Sequence, residues 1–213
     1  MECLICGNLC DGFEDERKGI VYFECSSCQF IMKSKEHFAS FDKQKERYNL
    51  HNNNEEDEGY QSYFQRFIDF ALRAGEKPKH TLDFGCGAST LLAQMFQKEG
   101  VNCDFYDPIY HPDESYKSKS YDLITSVEVF EHLHDPKAIL EMLTQHLNPN
   151  GYIAIQTAFY LNDRERFLSW YYRLDPTHIV FFSRHSLAVL AEQVGMSVVD
   201  DNAKNMVLLQ KSN

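Results

Sequence analysis

No stretch of this chain approaches the ~18 apolar residues of a membrane span. Its first dozen residues, Met1 to Gly12, carry neither the basic start nor the apolar core of a secretory leader. The expectation is therefore a cytoplasmic protein with no membrane contact. Basic residues are also scarce. Lys and Arg number 21 against 32 Asp and Glu, for a net charge of -11, and the cations are scattered rather than gathered into a stripe. A surface able to neutralise nucleic-acid phosphates is missing, which argues against an RNA or DNA partner. Internal repeats are absent, and low complexity is confined to a short Asn run. What is present is enough apolar material, 43% of 213 residues, to build one medium domain with a small appendage.

The appendage is marked by cysteine. Cys3, Cys6, Cys25 and Cys28 read C-x2-C, eighteen residues, C-x2-C, a spacing that suits a four-thiolate structural zinc site. Between the pairs, "GIVYFEC" alternates like a hairpin strand. So small a piece lacks a core of its own, and a bound ion would supply its folding energy. Reduced, unliganded thiols are the alternative; a catalytic zinc is disfavoured because four thiolates leave no open position. Cys10 is spare. The expected organisation is a zinc-ribbon-like module over residues 1–33, a polar linker or ordered loop over 34–59, and a main domain over 60–213.

That main domain alternates strand-like and helix-like segments. "YQSYFQRFIDFAL" spaces its apolar residues as a helix; "HTLDF", "NCDFYD", "YDLITSV" and "YIAIQTAF" read as strands. Between them lie helices from about Ser89 to Gly100, over "DPKAILEMLTQHL" with Asp135 as N-cap, and over "SRHSLAVLAEQVG" with Ser183 as cap. "SVVDD" and "MVLLQK" close the chain as an antiparallel edge. The fold class is α/β: a mostly parallel, Rossmann-like sheet with helices on both faces and ligands at the carboxyl ends of its strands.

The turn "TLDFGCGAST" follows the first of these strands. Its glycines let a ligand approach the backbone, and the next helix points free N–H groups there. Thr90 stands where a dinucleotide fingerprint has its third glycine, which weakens a nicotinamide reading. Asp107, at the end of the second strand, is placed to accept from ribose hydroxyls. Together "LDFGCGAS", "FYDP", "YDLITSVEVFEHLHDP" and "LNPNGYIAIQT" resemble the class I S-adenosylmethionine-dependent methyltransferases. The resemblance implies a seven-stranded sheet, and S-adenosylmethionine as cofactor. It implies that Asp83, Gly85, Cys86 and Gly87 line the methionine part, that Asp107 holds the ribose, and that Ser126, Val127 and Glu128 border the sulfonium. One departure stands out: only thirteen residues separate Asp107 from Tyr121, so the third strand and its adenine-binding acid are shortened or absent.

Methyl transfer from a sulfonium needs alignment and water exclusion, and a general base only where the acceptor arrives protonated. His132 in "FEHLHD" and His178 in "DPTHIVFFS" are the candidates, with a loop-shaping role as the alternative for each; Glu131 could orient a histidine or cap a helix. The long connection "YLNDRERFLSWYYRLDPTH" reads as a substrate lid, or as an aromatic patch packed on the sheet. The segment "RYNLHNNN" could fold over the cofactor, with Tyr48, His51 and Asn52 near its methionine end, or remain part of the linker. The leading expectation is methylation of a small-molecule acceptor. An RNA or protein methyltransferase that reads its substrate through the ribbon, a non-catalytic cofactor-binding regulator and a nicotinamide oxidoreductase are the alternatives.

Overall fold

The computed structural model describes residues 1–50, 55–73 and 75–211; His51 and Asn52 lie outside them. The elements run in chain order β1 (Asp11–Asp15), β2 (Ile20–Glu24), β3 (Ile31–Lys33), α1 (Phe41–Asn49), α2 (Glu58–Ala71), β4 (His80–Phe84), α3 (Leu91–Lys98) and β5 (Asn102–Tyr106). Then follow β6 (Tyr121–Val127), α4 (Pro136–Gln145), β7 (Leu147–Gln156), α5 (Arg164–Ser169), β8 (Val180–Phe181), α6 (Arg184–Gln193), β9 (Met196–Asp201) and β10 (Met206–Lys211).

Local chemistry sets most of these boundaries. Asp57 caps α2 by accepting from the Tyr60 amide, and Asp135 caps α4 by accepting from Ala138, with Pro136 at the first helical position where no N–H is needed. Ser183 and Ser186 bond reciprocally at the start of α6. Helix α2 buries Phe64, Phe67, Ile68, Phe70 and Ala71, and these pack with Leu91, Leu92 and Phe96 of α3.

The main sheet has six strands in the order β5-β4-β6-β7-β10-β9. Strands β5, β4, β6 and β7 are mutually parallel, and β10 is antiparallel to both β7 and β9. A seventh strand is not found among the described residues: a 3-10 turn at Glu114–Ser118 fills the short stretch between β5 and β6. The chain leaves β4 to one side for β5 and returns to its other side for β6, so the strand order reverses at β4. A crevice opens at such a switch point, outside the carboxyl ends of the strands.

The cysteine-rich segment is not set apart in packing. Strand β3 bonds to β8, pairing Ile31 with Phe181 and Met32 with Val180, so β1-β2-β3-β8 forms one sheet that draws its last strand from the main domain. Cys3, Ile5, Cys25, Cys28 and Phe30 share one buried cluster with Leu82, Ile124 and Ile155 of the main sheet. The boundary near residue 33 is thus one of sequence rather than of core.

The polar segment expected as linker or loop over 34–59 instead contains α1, and its last residues begin α2. Helix α1 buries no residue, which is why its pattern reads as loop. Its position comes from outside contacts: Arg47 pairs with Asp175 at 2.8 Å, Asn49 accepts from the Tyr110 hydroxyl at 2.7 Å, and Tyr48 meets His132 edge-on at 5.4 Å between ring centroids.

The insertion after β7 divides in two. Arg173 lies buried against the first sheet, pairing with Asp15 at 2.7 Å and donating to the Tyr22 hydroxyl at 3.2 Å. Phe167 packs edge-on against Tyr22 and Phe181, with Trp170 on the same cluster, so the tryptophan anchors the insertion rather than covering a ligand. Tyr171, Tyr172 and Leu174 face the other way, into the crevice.

Candidate active site

A cleft of about 1320 Å³ lies at the switch point. Its floor is the turn after β4. Gly85 and Gly87 take φ of +83° and +66°, a region L side chains rarely occupy. A Cβ on Gly85 would collide with the Val129 side chain, whereas one on Gly87 would meet open space. The first glycine is thus required by packing as well as by backbone, and the second leaves the peptide exposed to the cleft.

Two carboxylates flank the turn. Asp83 is 2% exposed, and burial pushes its pKa up to about 7 against the opposing hydrogen bond from Thr125. A buried acid of this kind is primed for a cationic partner. Asp107 stands at the end of β5, and three amides hold it: Gly87 donates to Oδ2 at 3.1 Å, and Ile109 and Tyr110 donate to Oδ1 at 2.8 and 2.9 Å. These bonds fix the carboxylate against the glycine turn. Ile109, Leu133 and Ile139 give the same cleft an apolar wall.

The inner end is acidic and aromatic. Glu128, just past β6, has φ +54° and donates its amide to the Gln156 carbonyl at 2.8 Å. An L residue held there costs about 1 to 3 kcal/mol, and such strain collects at functional sites. Its carboxyl accepts from the Tyr172 hydroxyl at 3.0 Å and the Tyr63 hydroxyl at 3.4 Å, while Gln156 donates to Tyr63 in turn. Burial and the neighbouring Glu131 raise its pKa to about 8. Glu131 itself is fully buried, and burial drives its pKa upward. Neither Glu131 carboxylate oxygen has a partner at hydrogen-bond distance.

His132 and His178 line the cleft together, with ring centroids 4.8 Å apart. Each ring uses Nδ1 on a backbone carbonyl, Thr177 at 3.0 Å for His132 and Tyr172 at 2.7 Å for His178. That contact fixes the tautomer with Nδ1 protonated and Nε2 bearing the lone pair. Burial, reinforced by His132, lowers His178 to about 3, and burial lowers His132. Burial thus favours the neutral form of each ring, most strongly for His178, and leaves each Nε2 able to accept a hydrogen bond or to ligate.

A methyltransferase-domain family profile matches residues 57–201, well over half of the chain. The chain belongs to this methyltransferase-domain family. The structure of this methyltransferase domain superposes on a 1,6-didemethyltoxoflavin-N1-methyltransferase from Burkholderia thailandensis. The TM-score is 0.60 at 10% identity, covering 97% of this chain and 100% of that one. It also superposes on the N-methyltransferase NodS from Bradyrhizobium japonicum with a TM-score of 0.53 at 12% identity, covering 80% and 98%. Both were solved with S-adenosylhomocysteine bound. A ubiquinone biosynthesis O-methyltransferase from Yersinia enterocolitica is 27% identical over 116 residues, 42% of this chain and 48% of the relative. The chain thus spans about half the length of that curated relative.

Within the methyltransferase domain, Asp83, Gly85, Cys86, Gly87, Asp107, Val127 and Glu128 line one cleft. Ser126 does not: it is fully buried, and its hydroxyl donates to the Phe84 carbonyl at 3.1 Å, tying β6 to β4. Its neighbours face the ligand space and it faces the sheet interior. Tyr172 reaches the cleft from the insertion that the sequence marked as a lid, whereas Tyr63 and Arg47, which sequence reasoning passed over, reach it from α2 and α1. Only the unusual density of tyrosine in those segments hinted at them.

Outside the cleft lining, the Sγ atoms of Cys3, Cys6, Cys25 and Cys28 all lie within 4.8 Å of one another. The Cys3–Cys28 and Cys6–Cys25 separations are 3.5 Å. Four thiolates at 2.3 Å from a zinc ion sit about 3.8 Å apart, so the donor set fits. The two turns are alike: each C-x2-C pair is followed by a residue with positive φ, Gly7 at +74° and Gln29 at +59°. Cys10 stays outside the quartet, where burial raises its thiol to about 12.

Proposed function

We propose that this chain transfers a methyl group from S-adenosylmethionine to a small-molecule acceptor. The observation that carries the reading is the Gly85–Gly87 turn at the switch point, with buried Asp83 beneath it and Asp107 fastened beside it. The ammonium group of the methionine moiety would lie near Asp83, the ribose hydroxyls at Asp107, and the adenine along the wall of Ile109, Leu133 and Ile139. The methyl group would then point towards Glu128, Tyr63 and Tyr172. Those residues orient the acceptor and, with α1 and Tyr171 at the mouth, keep water from the reacting pair. When bound, the sulfonium supplies the electrophile.

The cleft is lined by carboxyls, tyrosines and histidines, and its cation, Arg47, is already paired with Asp175. That lining favours an uncharged, hydroxylated acceptor over an anionic one. Zinc on Cys3, Cys6, Cys25 and Cys28 would be structural, bracing the sheet that positions β8 and, just before it, His178. A cytoplasmic, reducing setting would keep those thiols available. No helix among the described residues is long and apolar enough to cross a membrane.

The test is release of S-adenosylhomocysteine from S-adenosylmethionine in the presence of cell extract separated into low-mass, RNA and protein fractions. Turnover with the uncharged low-mass fraction alone is expected. Turnover driven by RNA or protein overturns the acceptor class.

A further inference from the structure

Beside the inner cleft, Glu131, His132 and His178 converge. The Glu131 carboxylate is completely buried, and neither oxygen meets a hydrogen-bond donor. A buried polar group left in this state is destabilising, more so when charged, so native structures rarely tolerate it without a ligand or an ion. His132 Nε2 lies 3.8 Å from Glu131 Oε1, and one ligand atom each from Glu131, His132 and His178 falls within 4.8 Å of the other two.

The histidines are set as metal ligands are. Each gives its Nδ1 hydrogen to a backbone carbonyl, which leaves the Nε2 lone pair directed away from that carbonyl and fixes the ring plane. Ligating histidines almost always have such an outer partner. Three donors at 2.1 Å from a common ion lie about 3.4 Å apart in tetrahedral geometry, so the observed spacing closes with shifts below about 1 Å. The two rings line the cleft, while Glu131 lies behind them.

We propose that Glu131, His132 and His178 form a second metal site, distinct from the cysteine quartet, that binds a first-row divalent transition ion with open positions towards the cleft. Two imidazoles and one carboxylate in this form suit manganese, iron, cobalt or zinc rather than magnesium, which prefers all-oxygen shells. The open positions would take oxygen atoms of the acceptor, fixing a hydroxylated molecule at the methyl end; this last step rests on the methyl-transfer reading. Tyr48, against His132, and Tyr172, against His178, close the sides of the site.

The probe is Mn²⁺, whose low affinity for thiolates leaves a zinc-loaded quartet undisturbed. Titration of the full chain with manganese chloride, following the free-ion paramagnetic signal, is expected to give one bound Mn²⁺ per chain with zinc content unchanged. His178→Ala and the near-isosteric Glu131→Gln should each weaken binding by tenfold or more; the second variant keeps the test decisive if the first fails to fold. Absence of stoichiometric Mn²⁺, or binding unchanged in Glu131→Gln, overturns the site. A parallel calorimetric titration with S-adenosylhomocysteine separates the two readings. Cofactor binding without Mn²⁺ refutes only the metal site, and Mn²⁺ binding without cofactor refutes only the methyl-transfer reading.

Discussion

Replacing Asp83 by Asn should stabilise the protein while weakening the proposed cofactor site. Asp83 is 2% exposed, and burial lifts its pKa from 3.8 to about 7. The folded state thus holds the acid neutral at a pH where the unfolded chain ionises. Below about pH 4 both states are protonated and the carboxyl carries no penalty; the penalty grows as the pH rises from about 4 to about 7 and stays constant above that. At about 1.4 kcal/mol per unit, ionisation disfavours folding by about 2 kcal/mol at pH 5.5 and about 4 kcal/mol at pH 8. Asn keeps the shape and never ionises. Urea unfolding of Asp83→Asn against the parent should therefore show a stability gain that grows by about 2 kcal/mol between those pH values. In the same variant the ammonium of S-adenosylhomocysteine loses its counter-charge, and affinity falls. A constant or absent gain across pH would refute the claim that a buried, uncompensated Asp83 awaits a cation.

Other outcomes follow from the same geometry. Gly85→Ala forces an L residue to φ +83° and drives its Cβ into Val129, so thermal unfolding should show a loss of at least about 1 to 2 kcal/mol, together with loss of cofactor binding. Arg173→Met strands Asp15 in a pair whose side chains are 5% and 6% exposed, and should cost about 3 to 5 kcal/mol in urea titrations, much of it restored by adding Asp15→Leu. On the proposed zinc reading, a chelator should lower the melting temperature of the whole chain in one transition, because Cys3, Cys25 and Cys28 share a buried cluster with the main sheet. Two separate transitions would contradict that shared core.

What the sequence revealed was local. Asp135 with Pro136 announces α4, Ser183 announces α6, and the cysteine spacing brings four sulfurs together, because each signal acts over a few residues or within one hairpin. What it hid depends on distant partners. Helix α1 buries nothing and is held by Asp175, Tyr110 and His132, so no periodicity marks it. Strand β8 has two residues, and its pairing with β3 spans most of the chain. The resemblance alone places Ser126 at the sulfonium; β6 is largely buried, and a strand buried on both faces does not show in its sequence which side points to the cleft. The tyrosines around Glu128 come from α2 and the insertion, far apart in sequence.

The central claim is that the turn after β4 and Asp107 hold S-adenosylmethionine. Calorimetric titration with S-adenosylmethionine, S-adenosylhomocysteine and NAD, repeated on Asp107→Asn, tests it most directly. The account predicts one-to-one micromolar binding of the first two, no binding of NAD, and at least about tenfold weaker binding in the variant, the loss expected when a charged hydrogen-bond acceptor is neutralised. No binding of either adenosyl compound by zinc-loaded protein, or equal binding by the variant, would contradict it.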